Sequence, residues 1–236
     1  MQTHPDYSGA LNGLQVEGRA EVGHVCAAVD ASEAAIEEAI RRNADLLIVH
    51  HGIFWEGQKP ITGRRYRKLA RLIESGLALY SVHLPLDSHP EVGNCALLAR
   101  RMGVDIRGPF GVSHGGVQIR WWGAMECDRM QLKAILENAV DGPARLIPGG
   151  PDQIRTVGVV TGAAGSMMGE AVKAGLDAYI TGEGNHHTYA EALEDRINLY
   201  YAGHYATETF GVKALAEHLA ASFGVTWEFI DLPSGL

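Results

Sequence analysis

A chain of 236 residues with 46% apolar and 20% charged side chains has the composition of a globular protein able to bury a substantial core. Its net charge of −8 argues against a general affinity for nucleic acid or anionic membranes, and no apolar run reaches the ~20 residues of a membrane helix. Cys26, Cys95 and Cys127 are odd in number and far apart, and MQTHPDYSGALNG lacks a basic-then-apolar leader, so a reducing, cytoplasmic setting is expected.

An apolar run over 22–29 predicts a strand, and Asp30-Ala-Ser32 caps a helix over 33–42. Residues 45–49 are apolar throughout, the pattern of a short strand buried in a mostly parallel sheet. A helix over about 64–75 leads into a strand over 77–82. Pro90 opens a helix that runs to about 102, where Gly103 ends it. The alternation then lapses. Residues 108–116 are loop-like, 117–125 read as a strand, 128–140 as an amphipathic helix, and two Gly-Pro clusters follow as turns. It resumes with strand 156–160, helix 166–174, strand 178–180, helix 188–194, strand 199–202, helix 207–222 and strand 225–231.

The two alternating stretches repeat one another. A shift of 132 places Val25 on Val157, Asp45 on Asp177 and His51 on Glu183. A second correspondence sets Leu79-Tyr80-Ser-Val-His83-xxx-Asp87 against Leu199-Tyr200-Tyr-Ala-Gly-His204-xxx-Glu208. The expected class is therefore α/β: two similar, interlocked halves related by duplication, 1–104 and 155–236, joined by a linking or lid segment over 105–154, with a metal site between the halves. Ligands in such sheets collect at the carboxyl ends of strands, which is where His50, His51, His83, Glu183 and His204 fall.

Each constellation also has a plainer reading. Consecutive strand residues face opposite ways, so His50-His51 straddles two ions only if Gly52 turns the chain; otherwise one is a core histidine and one a loop residue. His204 and Glu208 share one helical face, a spacing for a metal clamp and equally for a surface pair. Pro85 argues against regular helix, which leaves Asp87 in a loop as a bridging carboxylate or as a helix cap. His186-His187 and His89 read first as caps or surface residues, and Gly162-Ala-Ala-Gly165-Ser166 as a turn with a phosphate option. Arg64, Arg65, Arg67, Lys68 and Arg71 form a solvated helix face or, on the sharper reading, a phosphate patch in which Arg64 and Arg65 bind substrate.

Taken together, His50, His51, His204, Asp87 and Glu208 offer three imidazoles and two carboxylates, with His83 and Glu183 in reserve for proton transfer. A nitrogen and oxygen set without cysteine suits Zn, Fe, Mn, Co or Ni. Five ligands cannot saturate two ions, and two ions ~3.5–4 Å apart with open positions can activate water and stabilise charge on a phosphoryl or carbonyl oxygen.

Asn12-Gly-Leu-Gln-Val-Glu-Gly18, Val49-His-His-Gly-Ile-Phe-Trp55, His83-Leu-Pro-Leu-Asp-Ser-His-Pro90 and Ala202-Gly-His-Tyr-Ala-Thr-Glu208 resemble the dinuclear-metal proteins called type 2 GTP cyclohydrolase 1, or NGG1-interacting-factor-three-like proteins. The resemblance runs from Asn12 to Pro233 and is nearest the short bacterial members. It implies a ring-shaped homohexamer and a two-metal site on His50, His51, Asp87, His204 and Glu208. Two departures stand out: the helix that usually precedes the Asn12 motif looks short, and Tyr205 stands where relatives often have histidine. The expected function is a hydrolase with two divalent ions acting on a nucleotide-like or phosphorylated small molecule, possibly as a GTP cyclohydrolase. The alternative is a metal-handling or insertion protein with no substrate.

Overall fold

A computed structural model describes residues 6–7, 9–55, 57, 59–113 and 117–235. The elements in chain order begin with β1 (Gly13–Val16), β2 (His24–Asp30), α1 (Glu33–Arg41), β3 (Leu46–His51), α2 (Gly63–Ser75) and β4 (Ala78–Ser81). Then come the short α3 (Leu84–Asp87), α4 (Asn94–Arg101), β5 (Asp105–Pro109), β6 (Trp121–Asp128), α5 (Arg129–Val140), β7 (Arg145–Pro148) and β8 (Gln153–Val159). A 3-10 turn at Gly165–Met167 runs into α6 (Met168–Lys173), followed by β9 (Ala178–Thr181), α7 (His187–Glu194) and β10 (Asn198–Tyr201). The short α8 (His204–Thr207), the long α9 (Thr209–Phe223) and β11 (Thr226–Phe229) complete the chain. Among the described residues no helix is long and apolar enough to cross a membrane.

The chain folds into two compact units, one containing residues up to Leu86 with Gly211–Leu232, the other Asp87–Phe210 with the residues from Pro233. The first holds a five-stranded sheet in the order β1-β4-β3-β2-β11. Its strands β4, β3, β2 and β11 run parallel, and β1 lies antiparallel on the β4 edge. Ile36, Leu47, Leu72 and Leu79, each 1% exposed or less, pack α1 and α2 against one face of this sheet. Burying each such side chain contributes roughly 1.5–3 kcal/mol, so these few residues weigh more than any surface pair in the unit. The second unit holds a six-stranded sheet in the order β5-β6-β8-β9-β10-β7, in which only the β8–β9 and β9–β10 pairings are parallel. Leu98, Leu132, Leu136, Ile180 and Tyr200, all fully buried, pack α4 and α5 onto it.

The duplication is visible in the hydrogen-bond register. Val25 pairs with Leu46 and Leu46 with Ala78; at the equivalent positions Val157 pairs with Ala178 and Ala178 with Asn198. Asp45 Oδ2 accepts the Gly23 and His24 amides at 2.9 and 3.1 Å, and Asp177 Oδ2 accepts the Arg155 and Thr156 amides at 2.9 and 3.0 Å. Each aspartate, just ahead of the second parallel strand, ties that strand's start to the N-terminal part of the first. In each half a single carboxylate oxygen, with its two lone pairs, accepts both adjacent backbone donors.

Four expectations are corrected. Asp87 closes the helical turn α3 rather than a loop, because Pro85 sits in the first turn, where its missing N–H breaks no helical bond. The helix expected from Pro90 starts at Asn94, because the His89 imidazole takes the Glu91 and Val92 amides at 3.2 Å and folds that stretch into a turn ending at Gly93. Residues 105–154 supply β5, β6, α5 and β7, two more strands than their sequence pattern suggested, and β6 begins at Trp121 rather than at 117. The loop expected over 108–116 begins inside β5, and 114–116 lie outside the described residues.

Candidate functional site

In the first unit His50 and His51 end β3, and His83 follows β4, so three imidazoles gather at the carboxyl ends of two parallel neighbours. One ring nitrogen from each lies within 4.8 Å of the others. The two consecutive histidines do not diverge: their ring centroids are 4.8 Å apart and the rings are tilted by 50°. The pleat ends at His51, and Gly52 begins a turn in which a Cβ would strike the Gln15 amide at 2.3 Å.

All three rings are pinned through the same atom. Nδ1 of His50 meets the Val82 carbonyl at 3.0 Å, Nδ1 of His51 meets Asp30 Oδ1 at 2.8 Å, and Nδ1 of His83 meets Asp6 Oδ1 at 2.9 Å. Acceptors on Nδ1 place the proton there and turn the Nε2 lone pair toward the cluster, the arrangement by which proteins orient metal-binding histidines. The Asn12-Gly-Leu-Gln15 motif clamps this cluster from outside. Asn12 Oδ1 accepts the His83 amide at 2.7 Å while its Nδ2 donates to Asp6 at 2.8 Å, and Gln15 Oε1 accepts the Ile53 amide at 2.8 Å. Burial alone would raise the Asp6 carboxyl, but its bonds to His83 and Asn12 outweigh this and hold it below the usual range.

In the second unit Asp87, His204 and Glu208 are the donors, and Asp87 and Glu208 are only 5% and 3% exposed. Asn94 Nδ2 donates to Asp87 at 2.8 Å, and the Thr161 hydroxyl reaches the same oxygen at 3.4 Å. One turn of α8 brings His204 Nε2 to 3.1 Å from Glu208 Oε2, as their spacing predicts. His204 Nδ1 is held by Glu183 Oε1 at 2.6 Å. The Glu208 bond, with Glu183 behind it, pushes the imidazole up to about 9 against the opposing effect of burial.

Gly162 forms the floor under this pair. Its φ of +70° is left-handed, and a Cβ there would lie 2.2 Å from Glu208 Oε1 and 3.4 Å from His204 Nε2. Thr207 accepts its amide at 3.1 Å and the Thr181 hydroxyl donates to its carbonyl at 3.0 Å. The phosphate option for 162–166 is thereby removed: the amides of Gly162, Ala164 and Gly165 go to Thr207, Thr181 and the Glu183 carbonyl. Cys95 packs 3.3 Å from the Thr161 hydroxyl, and burial pushes its thiol up to about 12, so it is an inert neighbour.

The basic run on α2 divides into two sets. Arg67 and Arg71 form two-pronged pairs with Glu33 and Glu37 of α1. Arg64, Arg65 and Lys68 instead line a cavity of about 600 Å³ in the first unit, together with His51 and Trp55. Trp55 is fixed there by donating to the Gly52 carbonyl at 2.7 Å, with its ring edge-on to His83 at 4.7 Å. His186 and His187 are exposed. The residue pattern did not single out Asp6, Asn12, Gln15 and Asp30, which support the imidazoles of the first unit, or Gly162, which lies under the His204–Glu208 pair of the second. Asp30, as the polar residue closing an apolar strand beside His51, was the one with a readable signal.

Residues 3–234 match the family model described as Duf34/NIF3 (NGG1p interacting factor 3). A relative from Halobacterium salinarum, named GTP cyclohydrolase 1 type 2 homolog, is 43% identical over 98% of this chain and 93% of its own. A solved structure described as protein ybgI, of unknown function, superposes with a TM-score of 0.91 at 37% identity, covering 98% of this chain and 92% of that one. TTHA1606 from Thermus thermophilus gives a TM-score of 0.87 at 43% identity, covering 96% and 90%.

Proposed function

This chain belongs to the Duf34/NIF3 family, and from that premise we propose that it is a divalent-metal-dependent hydrolase of a phosphorylated or nucleotide-like small molecule. The observation that carries the reading is that all four imidazoles, His50, His51, His83 and His204, are held through Nδ1 by a carboxylate or carbonyl. Histidines in a mere core need one partner each; imidazoles all anchored through Nδ1, which leaves Nε2 for a ligand, fit a cation. The residues present also fit the group in kind, since imidazole and carboxylate suit Zn, Fe, Mn, Co or Ni.

The ligands we assign to two such ions are His50, His51, Asp87, His204 and Glu208. Bound divalent ions would supply an activated water and charge stabilisation on a phosphoryl or carbonyl oxygen. The chain's own groups do the rest. Asp30 and Glu183 hold His51 and His204 in place through Nδ1. Glu183, whose side chain is 43% exposed, and His83 are assigned to proton transfer. Arg64 and Arg65 receive the anionic part of the substrate, and Trp55 closes the cavity beside His51. The relatives' name supports a guanine nucleotide as one candidate substrate. A ring-shaped homohexamer in the cytoplasm belongs to the same proposal, and a monomeric mass by light scattering would remove it.

The test pairs metal analysis with turnover on a panel of nucleotides and phosphoesters, using the wild-type chain and Glu208→Ala. Turnover that tracks bound metal and disappears in the variant supports a hydrolase. Bound metal without turnover on any compound, with ready loss to a chelator, favours the metal-handling alternative. Full activity in a metal-free variant refutes both.

A further inference from the structure

The cavity beside His51 has a charge imbalance that the metal reading does not use. Among the described residues, Arg64, Arg65 and Lys68 line it beside one carboxylate, Asp30, which is already engaged with His51. On the same helix Arg67 and Arg71 have their own glutamates. Arg64 and Lys68 have neither an ion pair nor a hydrogen bond among the described residues. Arg65 lies over the Phe54 ring at 5.0 Å and donates through Nη1 to the Lys59 carbonyl at 3.3 Å, but its buried Nε has no partner among the described residues. Burial and then the Arg64 charge hold the Lys68 ammonium below its ordinary range, so Lys68 and Arg65 are partly dry beside the exposed Arg64. Such a cluster is costly unless an anion completes it.

The backbone adds to the same field. Ser32 and Thr62, the N-cap residues of α1 and α2, both line the cavity, so two helix N-termini open on it. Ser32 caps α1 through its hydroxyl, whereas Thr62 makes no side-chain cap and leaves the first amides of the 13-residue α2 to another acceptor. Helix starts with uncapped amides and flanking guanidinium groups are matched to tetrahedral oxyanions.

We infer that this cavity seats a phosphate dianion, the doubly charged end of a phosphomonoester or a terminal phosphate, held by Arg64, Arg65 and Lys68 over the start of α2. The inference deepens the proposed reading, and rests on it for the identity of the cavity as part of a substrate site. It adds that the seat prefers a monoester to a diester and needs no bound metal. Among the described residues, three cations, Arg64, Arg65 and Lys68, face one carboxylate already paired with His51, a balance that matches a dianion better than the single charge of a diester.

The experiment titrates the purified full chain, its metal content measured, with phenyl phosphate and with dimethyl phosphate by calorimetry at low ionic strength. Phenyl phosphate is expected to bind about tenfold or more tightly than dimethyl phosphate, because charge-assisted pairs to the second oxyanion charge are lost in the diester. Arg64→Ala and Lys68→Ala should each weaken phenyl phosphate by about fivefold or more, while Arg71→Ala, paired with Glu37, leaves it unchanged. Chelator-stripped wild-type chain should bind phenyl phosphate within about twofold of the metal-loaded chain, since the seat's donors are on α2. Thermal melts confirm that each variant is folded. Equal binding of the two probes, no binding of either, or an Arg71→Ala loss as large as that of Arg64→Ala overturns the seat. Phosphate binding without turnover of any substrate leaves the seat standing and removes the hydrolase; turnover without phosphate selectivity does the reverse.

Discussion

Gly162→Ala separates what the scaffold needs from what the site needs. The residue sits at φ +70°, and an added Cβ would stand 2.2 Å from Glu208 Oε1 and 3.2 Å from its Cδ. Ordinary carbon–oxygen contact is ~3.3 Å, so the carboxylate would have to withdraw by about 1 Å. Metal sites tolerate only ~0.2 Å in a ligand distance, so metal affinity should fall by at least the ~10–100-fold seen when ligands lose their support. The backbone cost is separate: a left-handed alanine loses roughly 1–2 kcal/mol, or ~2–8 °C of Tm in a chain of this size. Gly175 supplies the control, with φ +69° and nothing within 4 Å of its would-be Cβ. Gly175→Ala should show a similar fall in Tm with metal content unchanged. Metal titration and melting of the two variants side by side read out both effects. A Gly162→Ala protein that binds metal like wild type, and melts like Gly175→Ala, would refute the cradle.

Asp30→Asn keeps the size of the residue but weakens its hold on His51 Nδ1, and should lower metal affinity by about 10–100-fold with a Tm shift of a few degrees at most; unchanged affinity would remove the orienting role. Asp45→Ala and Asp177→Ala should each cost about 1–3 kcal/mol, because each strands two backbone donors, and denaturant melts that differ widely would speak against equivalent roles. The Gly23 amide and the Arg19 guanidinium hold the Asp45 carboxyl below its ordinary 3.8, so its contribution is complete above that pH and is lost as pH falls through the lower, folded-state value. Acid unfolding of Asp45→Ala should therefore lose steepness only below about pH 4.

The strands and helices of the duplicated stretches were legible because each buries a run or stripe that repeats at the period of its element. The missed strands β1, β5 and β7 are all sheet edges. Gly13-Leu-Gln-Val, Asp105-Ile-Arg-Gly-Pro and Arg145-Leu-Ile-Pro are half-exposed, and backbone ladders on one side hold them without any apolar signature. The candidate metal donors stood out in the sequence because they follow strand ends within short motifs. Their partners were not, since Asp6 and Asn12 reach His83 across 77 and 71 residues, and no local pattern encodes such a distance. The basic run was read as one patch because its spacing alone cannot say that Arg67 and Arg71 face α1 while Arg64 and Lys68 face the cavity.

The duplication preserves the scaffold while the chemistry changes places on it. At the strand ends, Asp30 and His51 of the first unit correspond to Gly162 and Glu183 of the second. In the first unit the carboxylate closes the first strand of the pair and the imidazole closes the second, so Asp30 orients His51 across one register step. In the second, the carboxylate has taken the imidazole's position, and the imidazole, His204, stands on α8 instead. An acid at position 162 would then have no imidazole to serve and no room, because Glu208 fills the space where its side chain would begin. Glycine at 162 is thus the counterpart of Asp30 under a different division of labour: one half orients its donor from a strand end, and the other empties that strand end to admit a donor from a helix.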